Sequence, residues 1–475
     1  MIREACGIAG AYSFDNRDVS TPLFYLLYSL QHRGQESAGI TTSYENSFIT
    51  EKGMGLVYDV FDLNKIKKLK GSLGIGHVRY STFGESKIEN AQPFVVTHSK
   101  GSLAIAHNGN IANGKELKSA LERQGEAFSS TTDSEVIAKL IVRELVKKGD
   151  IAEAIAETMK KLQGSYSLTI LTNDEVIAVR DPLGIKPLYL GKVGETYLIA
   201  SESVALDPIG AEHIRDIMPG EILAISSSGK MKSHRPFKMS RKAHCMFEYV
   251  YFSRTDSVVD GVLVYAVREK IGEIMAEDDN VEADAVMPVP DSAIPFALGY
   301  SRKKGIPYIE GLIKNRYVGR TFILPQQSSR ELAVKMKLNP IKENIRDKRI
   351  VVFDDSVVRG TTSKKIVMLL KNAGAKEVHF RVGCPPIISP CFLGIDMPTK
   401  EELIASSISS PDENSDKALN KIRKELGADS LKYLSLEGLL RAIGKTENEL
   451  CLGCLTGKYP VGMPIYEQMK IVEYI

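Results

Sequence analysis

The chain has 475 residues, 43% hydrophobic and 25% charged, the composition of ordinary globular domains; at roughly 100–200 residues each, two to four domains are expected. Its 62 Lys and Arg nearly balance 59 Asp and Glu, leaving a formal charge of +3, which excludes a strongly charged polymer binder though not a local basic patch. No apolar run nears the ~20 residues of a membrane span, the start MIREACGIAG lacks a basic segment leading into an apolar core, and six cysteines are too few for a disulfide scaffold, so the expectation is a cytoplasmic chain with reduced thiols and no nucleic-acid or membrane partner.

No repeat of 20–50 residues is visible. From Cys6 to about Ser233, short strands follow tight turns. A helix is predicted from Thr21, with Pro22 in its first turn, through Leu23, Phe24, Leu26, Leu27 and Leu30 toward Gly34. A second starts near Thr132, with Glu135 three residues on, carries Val136, Ile137, Leu140 and Ile141, and stops before Gly149. Residues 166–171 and 176–180 flank a hairpin turn at 172–175. Residues 181–184 read as another turn, and 187–190 pairs with 197–200 around Gly194. Many strands interrupted by two helices predict stacked antiparallel sheets covered by helices. The polar stretch 226–242 reads as a junction.

Beyond about residue 255 strand and helix alternate. The spacing predicts a strand at 284–289, a helix at Ile294–Lys304 ending at Gly305, a strand at 349–355, a helix at 363–372 ending at Gly374, and a strand at Glu377–Val382. That alternation predicts a parallel sheet with helices on both faces. A second polar stretch, 406–416, precedes a terminal helical section, 418–444, read as an appendage.

The most specific local pattern is VVFDDSVVRGTTS at 351–363. An apolar strand runs into two carboxylates, then a Ser/Thr/Gly loop, then a helix. Loops at the carboxyl ends of parallel strands are where such sheets bind ligands, and the amides and hydroxyls of Gly360, Thr361, Thr362 and Ser363 at a helix start suit a phosphate. Adjacent Asp354 and Asp355 can accept from the two vicinal hydroxyls of a ribose or sit near Mg²⁺. The bland reading is an Asp-rich turn capping a helix. Neither G-x-x-x-x-G-K-[ST] nor G-x-G-x-x-G after a strand is present, against a P-loop or dinucleotide fold.

This stretch resembles the phosphoribosylpyrophosphate (PRPP) motif of type I phosphoribosyltransferases. With QHRGQESAGI (31–40), FEYVYFSRTDS (247–257), KNRYVGRTFI (314–323) and CLGCLTGKYP (451–460), the resemblance extends to the amidophosphoribosyltransferases, from Cys6 to Pro460. That family opens de novo purine synthesis, converting PRPP, glutamine and water to 5-phosphoribosylamine, glutamate and pyrophosphate. The resemblance implies an α+β N-terminal-nucleophile glutaminase, an αββα sandwich, at 6–235, behind a propeptide at 1–5. An α/β type I phosphoribosyltransferase domain with a C-terminal cluster-binding appendage would follow at 245–475.

Cys6 is the expected nucleophile. An N-terminal cysteine carries its own base, because a free α-amino group has a pKa near 7.7; this requires loss of residues 1–5. The bland reading is a small buried hydrophobe. Arg79 fits a glutamine carboxylate as a bidentate fork, Asp133 the ammonium, and Asn108 and Gly109 an oxyanion hole. Each has a plain alternative: a surface charge, an acid in a first helical turn, and a hairpin-turn pair.

In the transferase half, the resemblance gives Asp354 and Asp355 the ribose hydroxyls and metal. It gives the 5′-phosphate to residues 356–363, among them Ser356, Arg359, Gly360, Thr361, Thr362 and Ser363. Ser292 matches a Mg²⁺-associated position, with a helix N-cap as the alternative. Lys314, Arg316 and Arg320 would supply cations to pyrophosphate from a closing loop. CLGC alone could be a redox pair, half a zinc site or part of an iron–sulfur site. The family's cluster-bearing branch implies a [4Fe–4S] cluster on Cys245, Cys391, Cys451 and Cys454, with Cys384 a packing residue. Purine nucleotide inhibitors and a homo-oligomer, dimer or tetramer, are family expectations. The rivals are another N-terminal-nucleophile amidotransferase, such as glucosamine-6-phosphate synthase, which lacks the 351–363 loop, and a PRPP-sensing regulator, which would be expected to lack Cys6, Arg79 or Asp133.

Overall fold

The computed structural model describes residues 6–80, 86–99, 101–226, 231–237, 241–315, 338–395, 397, 399–408 and 416–461. Residues 1–5, Arg316 and Arg320 lie outside the described residues.

Two antiparallel sheets stack to form the first domain. Seven strands make one: β1 (Gly7–Ser13), β2 (Ser37–Tyr44), β3 (Ser47–Met54), β4 (Leu73–Arg79), β9 (Tyr189–Val193), β10 (Thr196–Ala200) and β11 (Glu212–Asp216), in the order β11-β9-β10-β1-β4-β2-β3. Six make the other: β5 (Phe94–His98), β6 (Gly101–Ile111), β7 (Gly164–Leu171), β8 (Glu175–Arg180), β12 (Ile222–Ser226) and β13 (Met231–His234), in the order β13-β12-β8-β7-β6-β5. Alternation assigns each face. Ile8, Tyr12, Leu73 and Ile75 meet Ala104, Ala106, Val176 and Ala178 between the sheets. The next residues along point outward: Ala9 and Ala11 meet Leu23, Leu26 and Leu27 of α1 (Ser20–Ser29), and Leu103 and Ile105 meet Ile137 and Ile141 of α3 (Asp133–Lys148). The result is the expected αββα sandwich.

The helix count is corrected. Besides α1 and α3, the sandwich carries α2 (Gly114–Glu122), α4 (Ile151–Met159) and two short helices at Val57–Val60 and Leu63–Lys68. α1 also stops at Ser29, short of Gly34. The chain leaves the helix there to run against β4, so closely that a Cβ on Gly34 would lie 2.5 Å from the Val78 carbonyl carbon. β9 starts two residues later than expected, since Pro187 has no N–H for a ladder. α3 starts as predicted, but Glu135 makes no capping box with Thr132. Its carboxylate accepts instead from the Ser129 and Ser130 amides at 3.0 and 2.7 Å.

The second domain holds a parallel sheet of β15 (Ala285–Pro288), β16 (Arg349–Asp354), β17 (Glu377–Val382) and β18 (Ser430–Tyr433), in that order. On the far side of β15 a bridge pairs Val286 with Tyr308 in parallel. The chain therefore steps one way after β15, then back past it to β16. With right-handed crossovers, α6 (Ile294–Lys304) falls on one face with α5 (Val264–Glu277) against it, while α7 (Thr361–Asn372) and α8 (Asp416–Leu426) fall on the other. The point of reversal, between the carboxyl ends of β15 and β16, is where an open α/β sheet gapes for a ligand.

The terminal section is not one helical appendage. Gly427, with φ +75, ends α8. β18 then joins the sheet, and α9 (Leu436–Ile443) follows, packed on α5. The chain finally returns to the domain's start: β14 (His244–Cys245) pairs in parallel with β19 (Leu450–Cys451).

Candidate active sites

The register brings the first site together. Gly7 lies opposite Val78, so Cys6 faces Arg79 at the ends of β1 and β4. Both side chains are in phase with the inward-facing residues of their strands, and so is Asn108 on β6. Asn108 and Gly109 are therefore not a turn: they pair with Ser167 and Tyr166 of β7. Gly109 has φ +149, and a Cβ there would lie 2.1 Å from the Ser165 carbonyl oxygen, so only glycine fits. The Asn108 amide is wholly buried, and neither its nitrogen nor its oxygen has a partner. An orphaned buried amide costs free energy unless a ligand satisfies it.

A small pocket, open on one side to solvent, is lined by Cys6, Arg79, Gln92, His107, Gly109, Asp133 and Ser134. Asp133 begins α3; its Oδ2 accepts from the Ile111 amide at 2.8 Å, and its Oδ1 lies 3.6 Å from His107 Nδ1. Burial pushes its pKa up, but His107 and the amide more than offset that, leaving an anion. Arg79 is buried, with Glu36 at 3.7 Å. Burial pushes the Cys6 thiol up, and it donates to the Tyr80 carbonyl at 3.3 Å. A thiol held neutral needs a base before it can attack.

Sequence reasoning missed the residues behind this pocket. The Gln92 side chain accepts from the His107 amide at 2.9 Å and donates to Ser134 Oγ at 3.0 Å, which is 3.1 Å from His107 Nδ1. His77 approaches the His107 carbonyl at 3.1 Å. His107 and Ser134 adjoin the named Asn108 and Asp133, so adjacency was their signal. Arg33 had one too, a charge inside the QHRGQESAGI block. Its Nε donates to the Cys6 carbonyl at 3.1 Å and its guanidinium holds Glu202 at 2.6 Å and Glu248 at 2.8 Å.

The second site occupies the switch point. Asp354 ends β16 and Asp355 follows it; both are buried. Burial and the neighbouring Asp355 push Asp354 well above the usual carboxylate range; burial also raises Asp355. Ser292 does not cap α6, whose N-cap is Ala293. Its hydroxyl donates to Asp355 at 2.6 Å, while Ser356 donates to the other oxygen at 2.5 Å. Lys314 reaches Asp291 at 2.5 Å, beside a cis Pro290–Asp291 peptide. Gly360, left-handed at φ +74, is the N-cap of α7, with Thr361 exposed, Thr362 half-buried and Ser363 buried behind it, 3.5 Å from Asp354. Arg359 is exposed and paired with Glu402.

All six cysteines are free. The β14–β19 pair sets Cys245 opposite Cys451. The thiols of Cys245, Cys391, Cys451 and Cys454 lie near enough to feel one another's charge, and burial pushes Cys245 up to about 12. Among the described residues, no group of three or more His, Cys, Asp or Glu is disposed around a single metal ion. Cys384, wholly buried, feels both Asp355 and Cys454. No helix among the described residues is long and apolar enough to cross a membrane.

Comparison with known proteins gives both halves a class: residues 77–208 match a glutamine amidotransferase domain and 257–386 a phosphoribosyl transferase domain. The chain is thus a glutamine amidotransferase joined to a phosphoribosyltransferase. It is 53% identical to the amidophosphoribosyltransferase of Methanothermobacter thermautotrophicus over 99% of its length and 98% of that protein. It is 46% identical to that of Bacillus subtilis over 97% and 94%. The solved structure of the B. subtilis glutamine PRPP amidotransferase complexed with ADP and GMP superposes with a TM-score of 0.88 at 45% identity, covering 97% of this chain and 98% of that one. The chain belongs to the amidophosphoribosyltransferase family.

Proposed function

We propose that this chain makes 5-phospho-β-D-ribosylamine, glutamate and pyrophosphate from PRPP, glutamine and water, the first committed step of purine (IMP) synthesis, through the two sites above. One observation carries the reading: a single chain holds a cysteine–arginine–aspartate pocket, lined by Gly109 next to the orphaned Asn108 amide, and, at the switch point of a parallel sheet, a buried carboxylate pair. A PRPP sensor needs no such pocket, and a sugar isomerase no such carboxylate loop.

In the first site Cys6 attacks the glutamine amide carbon. Its proton goes to the α-amino group exposed by removal of residues 1–5, whose ordinary pKa suits a base at neutral pH. Arg79 holds the substrate carboxylate and Asp133 its ammonium. The oxyanion meets the Asn108 amide and the Gly109 N–H. Ammonia leaves, and water releases glutamate from the thioester. In the second site Asp354 and Asp355 accept from the ribose hydroxyls. Ser356, Arg359, Gly360, Thr361, Thr362 and Ser363 cradle the 5′-phosphate, and the cations for pyrophosphate come from Lys314, Arg316 and Arg320. Ammonia attacks C1 as pyrophosphate departs.

The adjoining acids suit a hard dication, because two buried carboxylates raise each other's pKa unless a cation sits between or beside them. Mg²⁺ held by Asp354 and Asp355, with Ser292 beside them, would neutralise the leaving pyrophosphate. Four mutually sensed thiols with no disulfide suit a [4Fe–4S] cluster, which takes one thiolate per iron and does not require four sulfurs on one ion. Cys245, Cys391, Cys451 and Cys454 would hold it in a structural role, with Cys384 behind them in packing. Zinc is the competing occupant. Purine nucleotides as inhibitors are supported by the ADP and GMP of the B. subtilis structure. A cytoplasmic location fits the unpaired thiols.

Anaerobically purified protein given glutamine, PRPP and Mg²⁺ should release glutamate and pyrophosphate only when PRPP is present; no such release sinks the reading. Mass spectrometry of active protein should find Cys6 at the N-terminus. Iron and acid-labile sulfide should be stoichiometric; zinc in their place defeats the cluster.

A further inference from the structure

Residues 391–394 leave the cysteine site and lie against the strand that carries the oxyanion hole. Asn110 Nδ2 donates to the Phe392 carbonyl at 2.8 Å, Ser165 Oγ to the Leu393 carbonyl at 2.7 Å, and Lys186 Nζ to the Gly394 carbonyl at 3.4 Å. Gly394, at φ +93, makes the closest approach: a Cβ on it would lie 2.9 Å from the Gly109 carbonyl carbon and 3.1 Å from its Cα. Gly109 also touches the Ser165 carbonyl of β7. The residue that supplies the oxyanion donor is therefore in backbone contact with its own sheet and, through its Cα and carbonyl, with a segment from the other domain.

The other end of the segment is fixed among the cysteines. The Leu393 amide donates to Cys391 Sγ at 3.4 Å. The Ile388 and Ser389 amides both donate to the Cys454 carbonyl, at 3.0 and 3.1 Å. Tyr459 donates its hydroxyl to the Pro390 carbonyl and sets its ring 5.1 Å from that of Phe392. Cys391, Cys454 and Gly109 are joined by one short, hydrogen-bonded path.

We propose that residues 391–394 are a strap positioning the oxyanion hole, with Gly394 its central positioning residue, through which the cysteine site sets the rate of glutamine hydrolysis. This rests on the glutaminase reading above and deepens it. Oxyanion donors act only if they meet the developing charge at about 2.7–3.1 Å, and a 1 Å displacement can cost about 100-fold. Glutamine's own carboxylate and ammonium fall to Arg79 on β4 and Asp133 on α3, elements to which, among the described residues, the strap makes no hydrogen bond, so displacement lowers kcat and leaves KM.

Gly394→Ala tests this. The kcat for glutamine should fall about 10- to 100-fold, with KM for glutamine and the rate supported by added ammonia each within about twofold of wild type. Ser165→Ala, a milder change, should move kcat the same way by less. Cys391→Ser should speed amide exchange in the peptide covering Gly101–Ile111, read by mass spectrometry without any turnover. An unchanged kcat in Gly394→Ala, an equal fall in the ammonia-supported rate, or unchanged exchange in Cys391→Ser would each overturn the strap. Failure of the functional reading shows differently, as a wild type that releases no glutamate, and leaves the exchange measurement able to decide.

Discussion

In the proposed reaction Cys6 acts only if the groups around it are ready before glutamine arrives. Its thiol is held neutral by burial, and Asn108 waits with an unsatisfied amide. Asn108→Ala should therefore lower kcat for glutamine about 10²- to 10³-fold, as loss of one oxyanion donor does elsewhere, while ammonia-supported turnover persists in the same assay. His77, behind the pocket, sets an acid limit. Burial pushes its pKa down to about 3 from the ordinary 6.5. The unfolded chain takes the proton first as pH falls, so this contribution to stability is whole above about pH 6.5 and is lost toward pH 3. His77→Gln should flatten the fall in Tm between pH 6.5 and 4. At this scale Cys6, Arg79, Asp133 and the acidic pair were legible because their chemistry is concentrated in short blocks. His77 was not, since a buried neutral imidazole in GHVR is written like any core residue.

Elements were legible where a period persisted and illegible where an element was brief. β6 hid its middle: Asn-Gly is a turn signal, and only pairing with β7 makes it strand. β18 was lost because four residues, SLKY, carry too little alternation to register between two amphipathic helices. Yet β18 closes the parallel sheet, with Asp429 accepting from the Val378 amide at 2.7 Å to lock it. A chain ending at residue 415 should consequently lose the cooperative unfolding of its transferase half and aggregate on gel filtration, where a dispensable appendage would leave it monodisperse. Gly360 is a second test. Its left-handed φ strains any residue with a Cβ, and alanine there would also push aside Ile404 Cδ1, 2.5 Å from the would-be Cβ. Gly360→Ala should raise KM for PRPP about tenfold or more, because the phosphate cradle depends on that turn, with glutamine KM unmoved.

The whole molecule is held by charges that neither domain could bury alone. Arg33 from the sandwich neutralises Glu202 of its own domain and Glu248 of the other. Burial pushes both acids up, but the ion partners outweigh it and hold them ionised. Ser253 donates to Glu248 at 2.7 Å, and its carbonyl accepts from Arg268 at 2.8 Å. Arg268 in turn lies within electrostatic reach of Asp355. The backbone of Cys6 and the acidic pair thus stand at two ends of one buried polar chain. Arg33→Met would leave Glu248 with Lys186 at 4.0 Å as its cation, while Glu202 keeps His32 at 2.7 Å, and should cost about 3 kcal/mol in urea unfolding. Composition concealed all of this: a net charge of +3 counts these ions without saying that they face each other across a domain boundary.

The pairing of Cys245 with Cys451 has a consequence for the order of manufacture. The two partners are separated by most of the second domain, so on the ribosome the first must wait for the second. The sandwich has all its strands once residue 234 has emerged, but Gly109 meets Gly394 only some 160 residues later and Cys451 later still. A half-made chain is therefore a sandwich with all its strands that still lacks the segment Gly109 packs against.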